Sequence, residues 1–208
     1  YAFVAIRRDG SLVAWGGGRH GADLPAPIAA LKDVVAVIGN LSSFAALRSN
    51  GSVVAWGDPA AGGTVPDPIA ALTDIRELTG NHMAFTALRM DGSVVAWGRT
   101  DSIGEVPESI ALLKDIEEVS STLQAFTVRR TNGSAMAWGN PSYGAFLPGE
   151  IAELTDIRSV TGNRAAFVAM RANGSVVAWG ANAGGGNLPD PVTALTNIVQ
   201  VAAAANAF

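Results

Sequence analysis

Every 41 residues the chain repeats itself. Trp15, Trp56, Trp97, Trp138 and Trp179 are evenly spaced and are its only tryptophans. Phe3, Phe44, Phe85, Phe126, Phe167 and Phe208 keep the same interval, as do Arg7, Arg48, Arg89, Arg130 and Arg171. Pro25, Pro66, Pro107, Pro148 and Pro189 complete the pattern. A fixed period of this length marks a repeat architecture, in which each unit buries its apolar face only against its neighbours. The expectation is one repeat domain over residues 1–208, with units at approximately 3–43, 44–84, 85–125, 126–166 and 167–207.

Within a unit the signals are those of strands. Ala84-Phe85-Thr86-Ala87-Leu88-Arg89 and Ser93-Val94-Val95-Ala96-Trp97-Gly98 flank Asp91-Gly92, a strong hairpin signal. The pair recurs as Asp9-Gly10, Asn50-Gly51, Asn132-Gly133 and Asn173-Gly174. A type I′ turn is expected, because Asp and Asn both tolerate left-handed backbone. Both strands are apolar on both faces, so both faces must be covered. Blades of a β-propeller, each held between two others, meet that condition. After each Trp-Gly comes a variable stretch, then a proline and a short apolar segment such as Pro68-Ile69-Ala70-Ala71-Leu72. Periodicity leaves that segment open between an outer strand and one helical turn. Each unit therefore has three clear strands and one doubtful element. The fold class is all-β: a propeller of five repeats, either a closed five-unit ring or part of a larger ring or array.

These features resemble the repeats of the regulator of chromosome condensation family. They are seen in Val160-Thr161-Gly162-Asn163, Phe167-Val168-Ala169-Met170-Arg171, Asn173-Gly174-Ser175-Val176-Val177-Ala178-Trp179-Gly180 and Leu188-Pro189. The resemblance spans all five units and implies a propeller. The family's repeats are usually longer, with a Gly-Gln-Leu-Gly segment that is shortened here, as in Gly62-Gly63-Thr64-Val65-Pro66. Its best-known activity, nucleotide exchange on the small GTPase Ran with docking on chromatin, relies on inserted elements and basic contacts. This chain has five units of equal length and no insertion. The family's ultraviolet-B photoreceptor uses extra Trp clusters, and only the repeat Trp occur here.

Charge narrows the partners. The chain carries a net charge of −4, with 14 Lys and Arg against 18 Asp and Glu, and no basic stripe. Nucleic-acid binding through phosphate neutralisation is disfavoured. No apolar run reaches the ~18 residues of a membrane span, and with 0 Cys the chain has neither disulfides nor thiolate metal sites. The first residue is Tyr1, and the chain starts and ends at the same repeat phase. This suggests a processed chain or a window from a longer array.

Each repeated side chain has a functional reading beside a structural one. The Trp are either sugar-stacking platforms or blade core. The Arg either form a ring of anion sites or pair with the acid of a neighbouring loop, Arg48 with Asp74 for example. Asp33, Asp74, Asp115 and Asp156 fall short of the six or more oxygens that calcium takes, and turn or strand-start hydrogen bonding explains them. His20 and His82 occupy different phases and form no metal pair. The Asn-Gly-Ser sequons coincide with the hairpin turn, and Gly184-Gly185-Gly186 lacks the Lys-Ser/Thr of a phosphate loop. Arg129 is anomalous, standing where the other units have Ile6, Leu47, Leu88 and Met170. It is either exposed at the rim or serves a contact.

Individuality must lie where units differ. One variable stretch follows Trp-Gly, and another precedes the Phe. Candidate ligand contacts are Arg19, His20, Arg99, Asp101 and Tyr143. No convergent acid, base or nucleophile set is visible, so no catalytic residue, metal or cofactor is expected. The leading reading is a non-catalytic scaffold or adhesion-like module of a larger protein, bacterial and extracellular or at the cell surface. Its partner would be a protein or glycan on a loop face, with self-association as a further mode. The alternatives are a lectin-like propeller and a GTPase-regulating or chromatin-associated protein.

Overall fold

A computed structural model describes residues 2–101 and 103–208, with the side chain of Arg19 also outside the described part. The chain is all-β apart from short helical turns. The strands are β1 (Ala2–Ile6), β2 (Leu12–Gly16), β3 (Val34–Gly39), β4 (Ser43–Arg48), β5 (Val53–Gly57), β6 (Ile75–Gly80), β7 (Ala84–Arg89) and β8 (Val94–Gly98). They continue as β9 (Ile116–Ser121), β10 (Ala125–Arg130), β11 (Ala135–Gly139), β12 (Ile157–Gly162), β13 (Ala166–Arg171) and β14 (Val176–Gly180). Four antiparallel three-stranded sheets result, each with the Phe strand in the middle, and β1–β2 form a two-stranded sheet. These are the blades of a β-propeller.

The segment left open by periodicity is one turn of α-helix in every repeat, as at Ala26–Ala29 and Asp67–Ala70. The recurring proline is its N-cap, and in three repeats a second proline lies in the first turn. Proline suits that place because its missing N–H is one that the helix start leaves unpaired anyway.

The chain divides into two compact units, Tyr1–Glu105 and Val106–Phe208. In the first, Leu12, Val34, Phe44, Ala46 and Trp56 form one core between β1–β2 and β3–β5. Ala45, Leu47, Val53, Phe85, Ala87 and Trp97 belong to a second, between β3–β5 and β6–β8. In the other unit Ala125, Ala135, Ile157, Phe167 and Trp179 form the equivalent core between β9–β11 and β12–β14. The middle strands β4, β7, β10 and β13 are buried along most of their length. That is the two-faced coverage their composition demands.

Aromatic pairs fix the contact between repeats. Each Phe lies opposite its Trp across the hairpin, with ring centroids 5.2–5.6 Å apart. Trp56 Nε1 donates to the Gly21 carbonyl at 2.8 Å, Trp97 to Gly62 at 3.0 Å and Trp179 to Gly144 at 3.0 Å. Each acceptor belongs to the preceding repeat. Trp56, Trp97, Trp138 and Trp179 are 2–3% exposed, whereas Trp15 is 51% exposed. The first four are blade core and offer no stacking face to a sugar.

The hairpin turn is not type I′. Gly51 has φ +76°, and no residue other than glycine has positive φ among those described. The Gly51 amide donates to the Arg48 carbonyl and the Arg48 amide to Ser52, the pattern of a type I turn followed by a left-handed glycine. Asp and Asn recur for their side-chain oxygen. Asn50 Oδ1 accepts from the Ser52 amide at 3.0 Å and from Ser52 Oγ at 2.7 Å. Asp9 accepts the same two bonds from Ser11, and these hold its carboxyl below the usual carboxylate range. This also accounts for the recurring serine.

Two outcomes follow. Trp97→Phe keeps an aromatic ring but removes the indole N–H and part of the buried volume, and should lower the unfolding free energy by about 1–3 kcal/mol in urea melts. Asn50→Asp should be nearly neutral, while Asn50→Ala should lose about 1 kcal/mol by the same measurement, by analogy with a lost capping oxygen.

Candidate functional site

The two variable stretches share one end of each blade. The first residue after Trp-Gly hydrogen-bonds the loop before the Phe. Asp58 donates its amide to Ser42 at 3.1 Å, Arg99 to Met83 at 3.1 Å, Asn140 to Gln124 at 2.8 Å and Ala181 to Ala165 at 2.9 Å. Adjacent blades are linked at this end too, by the Leu41 amide to His82 and the Leu123 amide to Arg164.

The post-Trp stretch is a short 3-10 turn in four repeats, at Gly18–His20, Pro59–Ala61, Pro141–Tyr143 and Asn182–Gly184. Asp58 and Asn140 cap theirs through side-chain oxygens. Each turn ends at a glycine with φ between +87° and +97°: Gly21, Gly62, Gly144 and Gly185. A Cβ on Gly62 would lie 2.8 Å from a Phe85 ring atom, so glycine is needed for both conformation and space. The repeat with Ile103 at this position departs from the pattern. There Asp101 Oδ1 accepts the Ile103 amide at 3.0 Å, and Ile103 is buried.

The five candidate contacts fall in both units, Arg19, His20, Arg99 and Asp101 in the first and Tyr143 in the second. Arg99 Nε and Asp101 Oδ2 are 2.6 Å apart, both side chains well exposed. His20 is exposed at the end of its 3-10 turn. Arg19 is in the same turn, with its side chain outside the described part. Tyr143, in the second unit, is half-buried and packs against the core of β9–β14, and its carbonyl accepts Thr122 Oγ1 at 2.8 Å. Tyr143 is thus partly scaffold. Among the described residues no group of three or more His, Asp or Glu is placed to hold a metal ion.

The repeated Arg pairs within its own blade, with the Asp 15 residues before it and not with the Asp that follows. Arg48 meets Asp33 at 2.9 Å, Arg89 meets Asp74 at 2.8 Å and Arg130 meets Asp115 at 2.8 Å. Arg171 does the same with Asp156 at 3.0 Å. The Asp that opens the first strand thereby clamps the end of the second. The Arg89 pKa is raised above its ordinary value, mainly by the hydrogen bonds it donates to Asp74.

Arg129 serves a contact inside its blade. Its Nε donates to Glu118 at 3.0 Å and its Nη1 to Glu117 at 2.6 Å, with the side chain only 16% exposed. Glu118 is its cross-strand partner, and the register shift at this point bulges Glu117 toward it. Burial lowers the Arg129 pKa, but hydrogen bonds to Glu117 and Glu118 outweigh it, so the net direction is upward. Glu118 Oε1 also accepts the Val160 amide of the next blade at 3.3 Å.

The sequence reading missed an apolar groove of about 580 Å³ in the second unit, floored by Val168, Val176, Ile198 and Val201. It also missed the exposure of Phe3, at 60%, together with Trp15 on β1–β2. Phase equivalence between first and last repeats was the available signal.

No protein-family model and no curated protein sequence matches the chain. Solved structures do. The ectodomain of the Physcomitrella patens receptor kinase CR4 aligns with TM-score 0.62 and 14% identity, over 86% of this chain and 49% of that one. Human WBSCR16 aligns with TM-score 0.61 and 15% identity, over 86% and 59%. Prp20p of Saccharomyces cerevisiae, described with its binding properties to Gsp1p and histones, aligns with TM-score 0.57 and 16% identity, over 79% and 49%. The chain spans about half to three-fifths of the length of these proteins. Prp20 is the yeast RCC1, so the resemblance read from the repeats holds at the level of fold.

The Arg129 network gives a testable cycle. Arg129→Leu alone removes the cation that both carboxylates share and should lose about 1 kcal/mol in urea unfolding. Arg129→Leu with Glu118→Ala recreates the Leu47–Ala36 pairing of another repeat and should recover most of that loss.

Proposed function

We propose that the chain is a non-catalytic scaffold that binds protein partners through the loop end of its blades. The observation that carries this reading is the division of labour among side chains. Trp, Phe, the Arg–Asp pairs and the Asx-capped turns are engaged in building blades. The residues that differ between repeats, among them His20, Asp58, His82, Arg99, Asp101 and Arg164, each lie at the loop end of their own blade. Loops on a rigid scaffold are where binding residues concentrate. Two comparisons support a protein partner: Prp20p is described with Gsp1p and histones, and yeast RCC1 was solved bound to Kap60. The acidic balance of this chain argues against a phosphate-binding role of its own.

We place the module in a larger surface or secreted protein. Two propellers of similar fold that are receptor-kinase ectodomains support this.

The test is proximity crosslinking in the source cells with two variants. The first carries Arg19→Ala, His20→Ala, Arg99→Ala, Asp101→Ala and Tyr143→Phe; the second carries Arg48→Ala with Asp33→Ala, away from the loops. Proteins captured by the wild type and the second variant should be lost from the first. Equal capture by all three would overturn the reading.

A further inference from the structure

A helical turn follows the third strand of each blade, and no fourth strand covers that strand's outer edge. In the blade β9–β11, β11 pairs with β10 alone. The hairpin turn decides which backbone groups face out. Arg130 donates its amide to Ser134 at 2.9 Å, so the N–H and C=O of Ala135, Ala137 and Gly139 point away from β10. Among the described residues the Ala137 amide has no acceptor.

A groove runs along this kind of edge. On the following blade about 610 Å³ lies open between the helical turn Gly149–Ala152, the outer edge of β14 and residues 186–188. Its lining belongs to the repeat, not to one blade. Val177, Ala178 and Leu188 are half-buried, and so are Met136, Ala137 and Leu147 one repeat earlier. Carried back by phase to β11, Met136 takes the place of Val177 and Phe146 that of Asn187.

The rim of β9–β11 departs from the other repeats in its side chains. Phe146 is 68% exposed and Leu112 72%. At the first place the other repeats carry Asp23, Thr64, Glu105 and Asn187, and at the second Ala30, Ala71, Glu153 and Ala194. Blades form without either apolar side chain, so packing does not explain them. Acids flank the same rim: Glu108 on the helical turn Glu108–Ala111, and Glu150 and Glu153 at the next turn. All three are exposed, and among the described residues none has an ion-pair partner.

We propose that the rim of β9–β11 binds an extended, basic segment of a partner protein. The segment adds as a strand to the outer edge of β11 through the Ala135 and Ala137 backbone. It seats apolar side chains against Phe146 and Met136 and sets Lys or Arg beside Glu108 and Glu150. Each feature selects one property of the occupant. The open backbone takes a strand, the exposed apolar residues take large side chains, and the unpaired carboxylates take cations. A bare edge alone accepts any strand, so the choice of partner rests with Phe146 and the acids. The proposal goes beyond the loop-end reading and does not depend on it.

The test is fluorescence anisotropy of a labelled peptide, Val-Lys-Phe-Lys-Val-Lys, titrated with the 208-residue chain. Binding should saturate, and should weaken severalfold between about 50 mM and about 0.5 M salt. Two forms of the peptide, N-methylated at alternate amides, keep every side chain. One should lose binding and the other keep it, because a strand added to an edge uses one set of amides. At saturation the Ala137 amide should exchange hydrogen more slowly. Phe146→Asn and Leu112→Ala carry residues of other repeats and leave the fold intact. Phe146→Asn should weaken binding about tenfold or more, as for loss of a buried Phe. Glu108→Gln with Glu150→Gln should weaken it about two- to fivefold and flatten the salt dependence. The proposal fails if no saturable binding is seen, if both methylated forms bind, or if Phe146→Asn binds like the wild type. Equal binding of a peptide with Glu in place of each Lys would also overturn it.

Discussion

The bond from a tryptophan N–H to the glycine carbonyl of the preceding repeat is the contact on which the architecture turns. Trp56 makes it to Gly21, Trp97 to Gly62 and Trp179 to Gly144. The Phe stacked on each Trp covers the same glycine. Left-handed backbone brings the glycine to this position, and the absence of Cβ leaves space for the ring. No repeat can satisfy its own indole, so stability is shared between nearest neighbours. Trp138 is the exception. Its Nε1 is buried with no hydrogen-bond partner among the described residues, and the sequence position that elsewhere supplies the glycine is Ile103.

Much of this was legible in the sequence, for a physical reason. A strand covered on both faces has little freedom in composition, so Ala, Val, Phe and Trp recur at fixed places and declare it. The turn was read in the right place with the wrong geometry. Asp-Gly and Asn-Gly serve type I′ turns and type I turns with a left-handed glycine alike, and only the Ser52 bonds to Asn50 separate the two. The segment around Ile69 stayed open because four residues are too few for a period to show. Its prolines at the first helical turn were the usable clue. The Arg–Asp pairing was foreseen, but Arg48 meets Asp33 of its own blade and not Asp74, since the first and second strands of one blade are antiparallel neighbours.

The candidate site was legible in outline only. That the post-Trp and pre-Phe stretches meet at one end follows from hairpin topology, which returns the chain to the end it left. Which residues there are free for a partner does not follow from sequence. Tyr143 looks like a variable contact, yet its ring closes a core. Arg129 looks like a breach of the apolar pattern, yet Glu117 and Glu118 in the same blade answer it across a bulge. An ion pair of this kind hides from periodicity because its two halves lie on different strands.

The side chains that keep the period are spent on the blades: Trp on the glycine carbonyl of the preceding repeat, Arg on the Asp of its own blade, and the Asp or Asn oxygen on the turn. A position tied to packing cannot change without loss, whereas a position on a loop can. Variation between repeats therefore collects at the loop end of each blade. There Asp58, Arg99 and Asn140 hold the two variable stretches together through backbone amides, a bond that does not depend on the side chain.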